Sequence, residues 1–321
     1  MMSLRRLVHD VFLQTKHTKQ KWFSSVSSVS TLVGDAQIQE YNDNGAICIR
    51  GAFDEKWLKL IEKGLEKNLR TPSKYNDWLT DDNGKGLFFN DYYNYTKIPE
   101  YLEYVLCSPA AEIAGRLMQS KKSIFFYEHM FYKEAASTKE TPWHHDQAYY
   151  PIDGNQNCSV WMPTTKIQKE SSLKFIQGSH KLKKYFIPRL FASNQNYEMR
   201  SPNSSPQGVP SNFEKEAVTD TAYRECDIEE IIQNIQDYKI LQWELEPGDC
   251  IVFNMKTIHG TEKSFNPDKR IVMATRWLGD DAIYTRRRWP TSPSETLLPK
   301  SLKVGCRLAE SKEFLVPWKR E

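Results

Sequence analysis

The chain has 321 residues, 39% hydrophobic and 26% charged, so it has the material for a buried core and lacks the composition of a disordered polymer. Its 44 basic and 41 acidic residues leave a net charge of only +3, which argues against a nucleic-acid binder. The longest apolar runs, such as 123–127, are strand-sized and exclude a transmembrane helix. The six cysteines (Cys48, Cys107, Cys158, Cys226, Cys250, Cys306) form no Cys-x-x-Cys pair, which excludes a zinc ribbon or thioredoxin-type motif and suggests reduced thiols inside a cell.

Residues 1–34 differ from the rest, with five Lys/Arg, six Ser and a single acid, Asp10. Leu4, Leu7, Val8, Val11 and Phe12 recur at helical spacing, with Arg5, Arg6 and His9 between them. An amphipathic, Arg- and Ser-rich, acid-poor start is the pattern of a mitochondrial or plastid transit peptide; the plainer alternative is a first helix of the folded domain. The expected location is cytoplasmic, or one of those organelles if the segment is a transit peptide. Residues 35–321 are expected to form one domain.

The chain reads as folded from Tyr41. Asn44-Gly45 turns into a short strand, Ala46–Ile49. Asp54 caps a helix whose Leu58, Ile61, Leu65 and Leu69 share one face, and the stretch from Pro99 to Met118 reads as a second helix. After residue 122 the texture changes to short strands at 123–133, 159–163, 172–176, 239–244, 249–254 and 270–278, rich in β-branched and aromatic residues and mostly bounded by Gly, Pro or Asn. Such spacing predicts a mainly β fold, a sandwich or jelly roll with the early helices outside it. A polar insertion spans about 184–238, with a short helix near Asp227–Ile235; it reads as a lid or binding loop, or as a disordered excursion.

The chemistry concentrates on few of the seven histidines. In Trp143-His144-His145-Asp146 an extended backbone points His144 and Asp146 to one side, so an imidazole and a carboxylate reach one metal ion. His259, 115 positions downstream after the strand 249–254, supplies a third ligand from a neighbouring strand. Two His and one carboxylate on one face leave three open positions, the facial arrangement of non-haem iron(II) oxygenases. His145 is expected on the opposite face, outward or towards substrate, and His180 in a turn or capping role. Arg270 opens a strand in which Val272, Ala274 and Arg276 share its face; inside a barrel a guanidinium needs an anion, and a dicarboxylate suits its fork. Arg276 is the next candidate for that task. The run Arg286–Arg288 reads as a solvated basic face.

These residues carry a resemblance. The segments His129-Met-Phe-Tyr-Lys133, Pro142-Trp-His-His-Asp-Gln147, Ser159-Val-Trp161, Gly178-Ser-His180, Pro247-Gly-Asp249 and His259-Gly-Thr261, running on to Arg270, resemble the phytanoyl-CoA hydroxylase family of iron(II)/2-oxoglutarate dioxygenases over roughly Tyr41 to Asp280. The resemblance implies a double-stranded β-helix, also called a jelly roll or cupin-like fold. It implies iron(II) on His144, Asp146 and His259, and 2-oxoglutarate held at its distal carboxylate by Arg270 and Thr261, with Trp161 and His129 lining the same pocket. It further implies 2-oxoglutarate and O₂ as co-substrates, with ascorbate a candidate stimulant, succinate and CO₂ as products, and oxidation of an unactivated C–H of a small molecule. Related halogenases lack the carboxylate that this chain keeps as Asp146, so hydroxylation, desaturation or ring closure is expected instead. Substrate candidates are an acyl-CoA, an amino acid or amine, and a specialised metabolite. The rival readings are a metal-binding cupin-like hydrolase or isomerase without redox chemistry, which has no use for Arg270, and a catalytically silent homologue, against which the intact ligand set argues.

Overall fold

The computed structural model describes residues 29–80, 84, 86–135, 137–199, 224–263 and 268–320. The expectations for residues 1–28 therefore lie outside it. The first long element is a helix at Asp35–Asn44, ahead of the point where the sequence reads as folded; it buries only Tyr41, so it carries little apolar periodicity. Gly45 ends it at φ 78° and turns the chain into β1 (Ala46–Ile49). A Cβ on Gly45 would collide with His180 and Thr257, so both the backbone angle and the close approach require glycine.

The helix Glu55–Arg70 starts as expected, with the Asp54 carboxylate accepting from the Trp57 N–H. The stretch from Pro99 to Met118 is not one helix but two, Pro99–Cys107 and Ala110–Leu117. The break falls at Ser108-Pro109, where the proline lacks a donor and holds the preceding residue extended, with ψ 165° at Ser108.

The strands that follow are β2 (Asp77–Leu79), β3 (Phe88–Tyr92), β4 (Lys122–Lys133), β5 (Thr141–His144), β6 (Ile152–Asp153), β7 (Asn157–Pro163), β8 (Lys174–Ile176) and β9 (Lys184–Phe186). The C-terminal half adds β10 (Arg224–Cys226), β11 (Ile240–Leu241), β12 (Cys250–Phe253), β13 (His259–Thr261), β14 (Arg270–Leu278), β15 (Ile283–Tyr284) and β16 (Trp318–Lys319). The strand expected at 239–244 is shorter, two residues of β11; the others match their expected spans closely.

One sheet runs β1-β12-β7-β14-β4-β3-β2, with β16 on the far side of β4, and a second runs β11-β8-β13-β5. The two form a jelly roll. Side chains alternate across the large sheet as strand geometry requires. Val160, Val252 and Met273 pack outward against Trp57, Ile61 and Leu102 of the helices. Their neighbours Trp161, Phe253 and Val272 pack inward against Phe175 of the second sheet. Each buried apolar side chain contributes roughly 1.5–3 kcal/mol. Two opposed layers thus enclose a cavity whose floor is set by β4, β7 and β14. Among the described residues no helix is long and apolar enough to cross a membrane.

The polar insertion begins as β9, which pairs in parallel with β10, and its expected helix is a single turn at Glu229–Ile232 followed by a 3₁₀ turn. Residues 200–223 lie outside the described part. The arginine run is not a solvated face: Arg287 is buried, and its guanidinium donates to the carbonyls of Tyr150 and Ile152 and pairs with Asp153 at 2.7 Å. Of the three only Arg288 is exposed. Arg287 ties down the segment that follows Asp146.

Candidate active site

His144 is the last residue of β5 and His259 the first of β13, and the two are direct cross-strand partners. Their rings lie 4.3 Å apart between centroids. His145 is extended, at φ −124° and ψ 138°, so the chain turns Asp146 back to the same side as His144 before entering a 3₁₀ turn. Asp146 Oδ1 then sits 3.6 Å from His144 Nε2 and 3.9 Å from His259 Nε2. All three residues are buried, and their donor atoms lie within 4.8 Å of one another.

Each imidazole is oriented by its other nitrogen. His144 Nδ1 lies 2.6 Å from the Pro142 carbonyl and His259 Nδ1 2.9 Å from the Thr257 carbonyl. A carbonyl only accepts, so both Nδ1 atoms carry the proton and both Nε2 lone pairs face inward, the arrangement metal-bound histidines use. Burial, with His144 alongside, pulls His259 down to about 3, so its ring stays neutral and able to coordinate near pH 7. Burial alone would raise the Asp146 carboxyl, yet Arg276 and the two imidazoles hold it far below the usual carboxylate range. Its Oδ2 is occupied: Ser159 Oγ donates to it at 2.6 Å and Arg276 Nε lies 3.2 Å away. Oδ1 is left for an ion. Two neutral nitrogens and one fixed carboxylate oxygen on one side of a point fit a divalent iron ion with positions to spare.

A cavity of about 300 Å³ opens over this trio. At one end lies Arg270, whose guanidinium donates to the Ser171 carbonyl and meets no carboxylate among the described residues. Burial pulls it down to about 10. Its direct cross-strand partner is Lys133, a buried lysine whose Nζ donates to the Lys139 carbonyl at 2.5 Å; burial and the neighbouring Arg270 push its ammonium well below the ordinary lysine range. Two cations side by side in a closed space need an anion. Lys133 was not singled out from the sequence, although it continues the alternation of Tyr127, His129 and Phe131 along β4, all of which line the cavity.

Trp161 lines the same cavity, as does His129, whose ring stacks on Phe131 and whose Nε2 lies 3.0 Å from Asn90 Oδ1. Burial and Arg276 hold His129 well below its usual range, so it is neutral. Thr261 faces a small adjoining recess shared with Arg270 and Lys133; its hydroxyl accepts from the Thr141 N–H at 2.8 Å and keeps its own proton to donate. His145 does face away from Asp146, but it is neither outward nor substrate-facing. It is buried against Tyr185 and Phe186, accepts the Phe186 N–H at 3.2 Å, and burial pulls it down to about 3. His180 serves a turn, with Nε2 3.1 Å from the Asn42 carbonyl. The cavity is also lined by Tyr92, Tyr149 and Tyr150 and by Arg189, Leu190, Phe191 and Tyr197 of the insertion, of which Leu190 is exposed to solvent.

Comparison with known proteins agrees with this geometry. The family model described as phytanoyl-CoA dioxygenase matches residues 41–272. A search of curated proteins found no match. Among solved structures, the fold is similar to the non-haem 2-oxoglutarate-dependent carbocyclase SnoK from nogalamycin biosynthesis, at TM-score 0.65 and 16% identity over 91% of this chain and 99% of that one. It is also similar to the epimerase SnoN in complex with Fe³⁺, 2-oxoglutarate and nogalamycin RO, at TM-score 0.60 and 15% identity over 91% and 100%. EctD from S. alaskensis, solved with 2-oxoglutarate and 5-hydroxyectoine, matches at TM-score 0.54 and 13% identity over 81% and 79%. With a family model spanning most of its length and a His-Asp-His trio brought to one point, the chain belongs to the phytanoyl-CoA dioxygenase family and is a non-haem iron- and 2-oxoglutarate-dependent dioxygenase.

Proposed function

We propose that residues 35–321 act as one catalytic unit. In it His144, Asp146 and His259 hold iron(II), Arg270 holds the distal carboxylate of 2-oxoglutarate, and a small organic substrate enters the tyrosine-lined cavity for oxidation at an unactivated C–H. Bound there, iron with 2-oxoglutarate and O₂ supplies the oxidising chemistry, and succinate and CO₂ leave. The chain's own residues bind, orient and exclude water.

Ser159 and Arg276 fix Asp146 through Oδ2, and the Pro142 and Thr257 carbonyls fix the ring planes of the two histidines. Lys133 stands beside Arg270 and adds a second donor for the carboxylate, and Thr261 offers a hydroxyl from the adjoining recess. Trp161 and His129 shape the walls between the two ends. The retained carboxylate of Asp146 favours hydroxylation, desaturation or ring closure over halogenation.

The observation that carries the reading is the coexistence, in one cavity, of an inward-facing His-Asp-His trio and a pair of cations with no carboxylate of their own among the described residues. A hydrolase or isomerase on the same trio has no use for that pair. The test is anaerobic titration of the purified protein with iron(II) and 2-oxoglutarate, followed by O₂-dependent succinate formation across a substrate panel. One equivalent of iron and succinate formed only with 2-oxoglutarate are expected; iron binding without any 2-oxoglutarate turnover would favour the non-redox reading.

A further inference from the structure

Arg276 is the most constrained charged side chain in the cavity that the assignments above leave partly unused. It is 5% exposed and lies on β14, next to the trio. Its Nε donates to the Tyr150 hydroxyl at 2.9 Å and lies 3.2 Å from Asp146 Oδ2. The guanidinium carbon sits 5.6 Å from the centre of the Tyr127 ring. These three contacts fix the guanidinium plane. They do not satisfy it: among the described residues Nη1 is buried with no hydrogen-bond partner. A buried N–H without an acceptor costs about 1–3 kcal/mol, and such groups in folded proteins usually await a ligand or a water.

Charge narrows what that ligand is. Around the cavity stand three basic side chains, Lys133, Arg270 and Arg276, against one buried carboxylate, Asp146; the other lining carboxylate, Asp77, is exposed to solvent and does not neutralise the interior. Arg189, further out, is already answered by Asp227 and Glu229. In the loaded site the two positive charges of iron(II) and the two negative charges of 2-oxoglutarate cancel. At least one positive charge is then left over even if Lys133 is neutral. A largely buried site tolerates that poorly unless an anion arrives.

We infer that Arg276 is the docking point for a carboxylate on the molecule being oxidised, with Nη1 as the donor that meets it. This rests on the iron and 2-oxoglutarate reading of the site and deepens it. Because the guanidinium also touches Asp146, the anchored carboxylate sits beside the trio, and the oxidised carbon lies within a few bonds of it. The substrate is therefore a small organic acid presented acid end first, its body against the aromatic side chains that line the cavity, Tyr92 and Phe191 among them. An alkyl chain presented methyl end first leaves Nη1 unanswered.

The test uses the full chain loaded anaerobically with iron(II) and 2-oxoglutarate, whose chelate band in the visible spectrum reports both. Hexanoate and 3-phenylpropionate are titrated against their primary amides, following the perturbation of that band. At least one acid should bind roughly 10-fold or more tightly than its amide. Equal binding of acid and amide, or no binding by either acid at millimolar concentration, would overturn the proposal. In Arg276→Lys, which keeps a charge near Asp146 but removes Nη1 together with the Nε contacts to Asp146 and Tyr150, acid affinity should fall about 30-fold or more, and by a larger factor than the affinities for iron(II) and 2-oxoglutarate titrated separately in the same variant. If 2-oxoglutarate affinity falls instead and acid affinity does not, Nη1 serves the co-substrate and the inference is wrong. Absence of any chelate band in the wild-type protein would defeat the underlying reading and not merely the role of Arg276. The acid-against-amide comparison in wild-type protein stands even if the variant fails to fold.

Discussion

Replacing Arg270 by Gln should separate the two roles a buried charge can have. Arg270 is partly buried at the start of β14, donates to the Ser171 carbonyl, and faces another cation, Lys133, across the strand pair. Burial lowers it from 12.5 to about 10, a differential cost on the order of 3 kcal/mol to the charged form. A charge held at such cost with no carboxylate among the described residues is a burden to the free protein and an asset once a dicarboxylate binds. Truncating one partner of a buried, hydrogen-bonded charge pair typically costs about 2–5 kcal/mol, so the apparent constant for 2-oxoglutarate should rise roughly 30-fold or more, at about 1.4 kcal/mol per decade. Without co-substrate the sign reverses: the variant should unfold at the same temperature as wild type or a few degrees higher, since removing an unmatched buried charge is neutral to stabilising. The assays are succinate formation against 2-oxoglutarate concentration and thermal unfolding of both proteins with and without 2-oxoglutarate. Iron binding should survive. Unchanged saturation by 2-oxoglutarate would refute the assignment.

Other consequences are equally direct. His259→Ala should abolish iron binding, whereas His145→Ala should keep it and lose about 1–3 kcal/mol of stability, because the buried Phe186 N–H loses its acceptor; equal iron loss in both would contradict the ligand assignment. Ser159→Ala frees Asp146 Oδ2 from its 2.6 Å donor and should weaken iron binding about 10- to 100-fold without unfolding the protein, as read by iron titration. Glu128 is buried with burial raising its carboxyl to about 8. Between about pH 4.5 and 8 the folded state holds a proton that the unfolded state has released, so stability is full below that window and is lost as pH rises through it. Glu128→Gln keeps the oxygen that accepts from the Asn94 and Tyr95 N–H groups and should flatten that slope and stabilise the protein at pH 8, measured by thermal unfolding from pH 5 to 9; an unaltered slope would place the titration elsewhere.

What the sequence made legible follows from the range of the forces involved. The span 270–278 is predicted and observed as one strand because its alternation and its boundaries are local. So is the capped helix after Asp54. The pair His144 and Asp146 is legible because two residues of extended chain fix their relation. Their relation to His259 is not local: the sequence nominates His259 as a ligand from a neighbouring strand, but the pairing of β5 with β13 that sets those two histidines directly opposite is visible only in the structure. Arg287 misled because three consecutive arginines look solvated, while its partners, Asp153 and the carbonyls of Tyr150 and Ile152, lie more than 130 positions away. The helix Asp35–Asn44 escaped notice because polar residues dominate it and its single buried side chain gives no stripe to read. Lys133 closes the segment 129–133, yet its meaning appears only once the register sets it against Arg270.

The neck of the insertion has a consequence for how this protein can change. β9 and β10 hold residues 184–186 and 224–226 side by side, and Arg189 reaches across to Asp227 and Glu229, so both ends of the excursion are anchored to each other before it departs. Lengthening a loop whose ends are already joined costs little, about 0.6 kcal/mol for each doubling of its length. The excursion also carries one wall of the cavity, through Leu190, Phe191 and Tyr197, whereas the trio, Lys133 and Arg270 sit on β4, β5, β13 and β14 and on the turn after β5. The excursion beyond Phe191, whose ring packs on His144 at 5.1 Å between centroids, can therefore be rewritten in length and in composition while the strands that carry the trio stay in place. Graft exchange at 192–223, which leaves Arg189 and its ion pairs in place, is the natural route to new specificity on this scaffold.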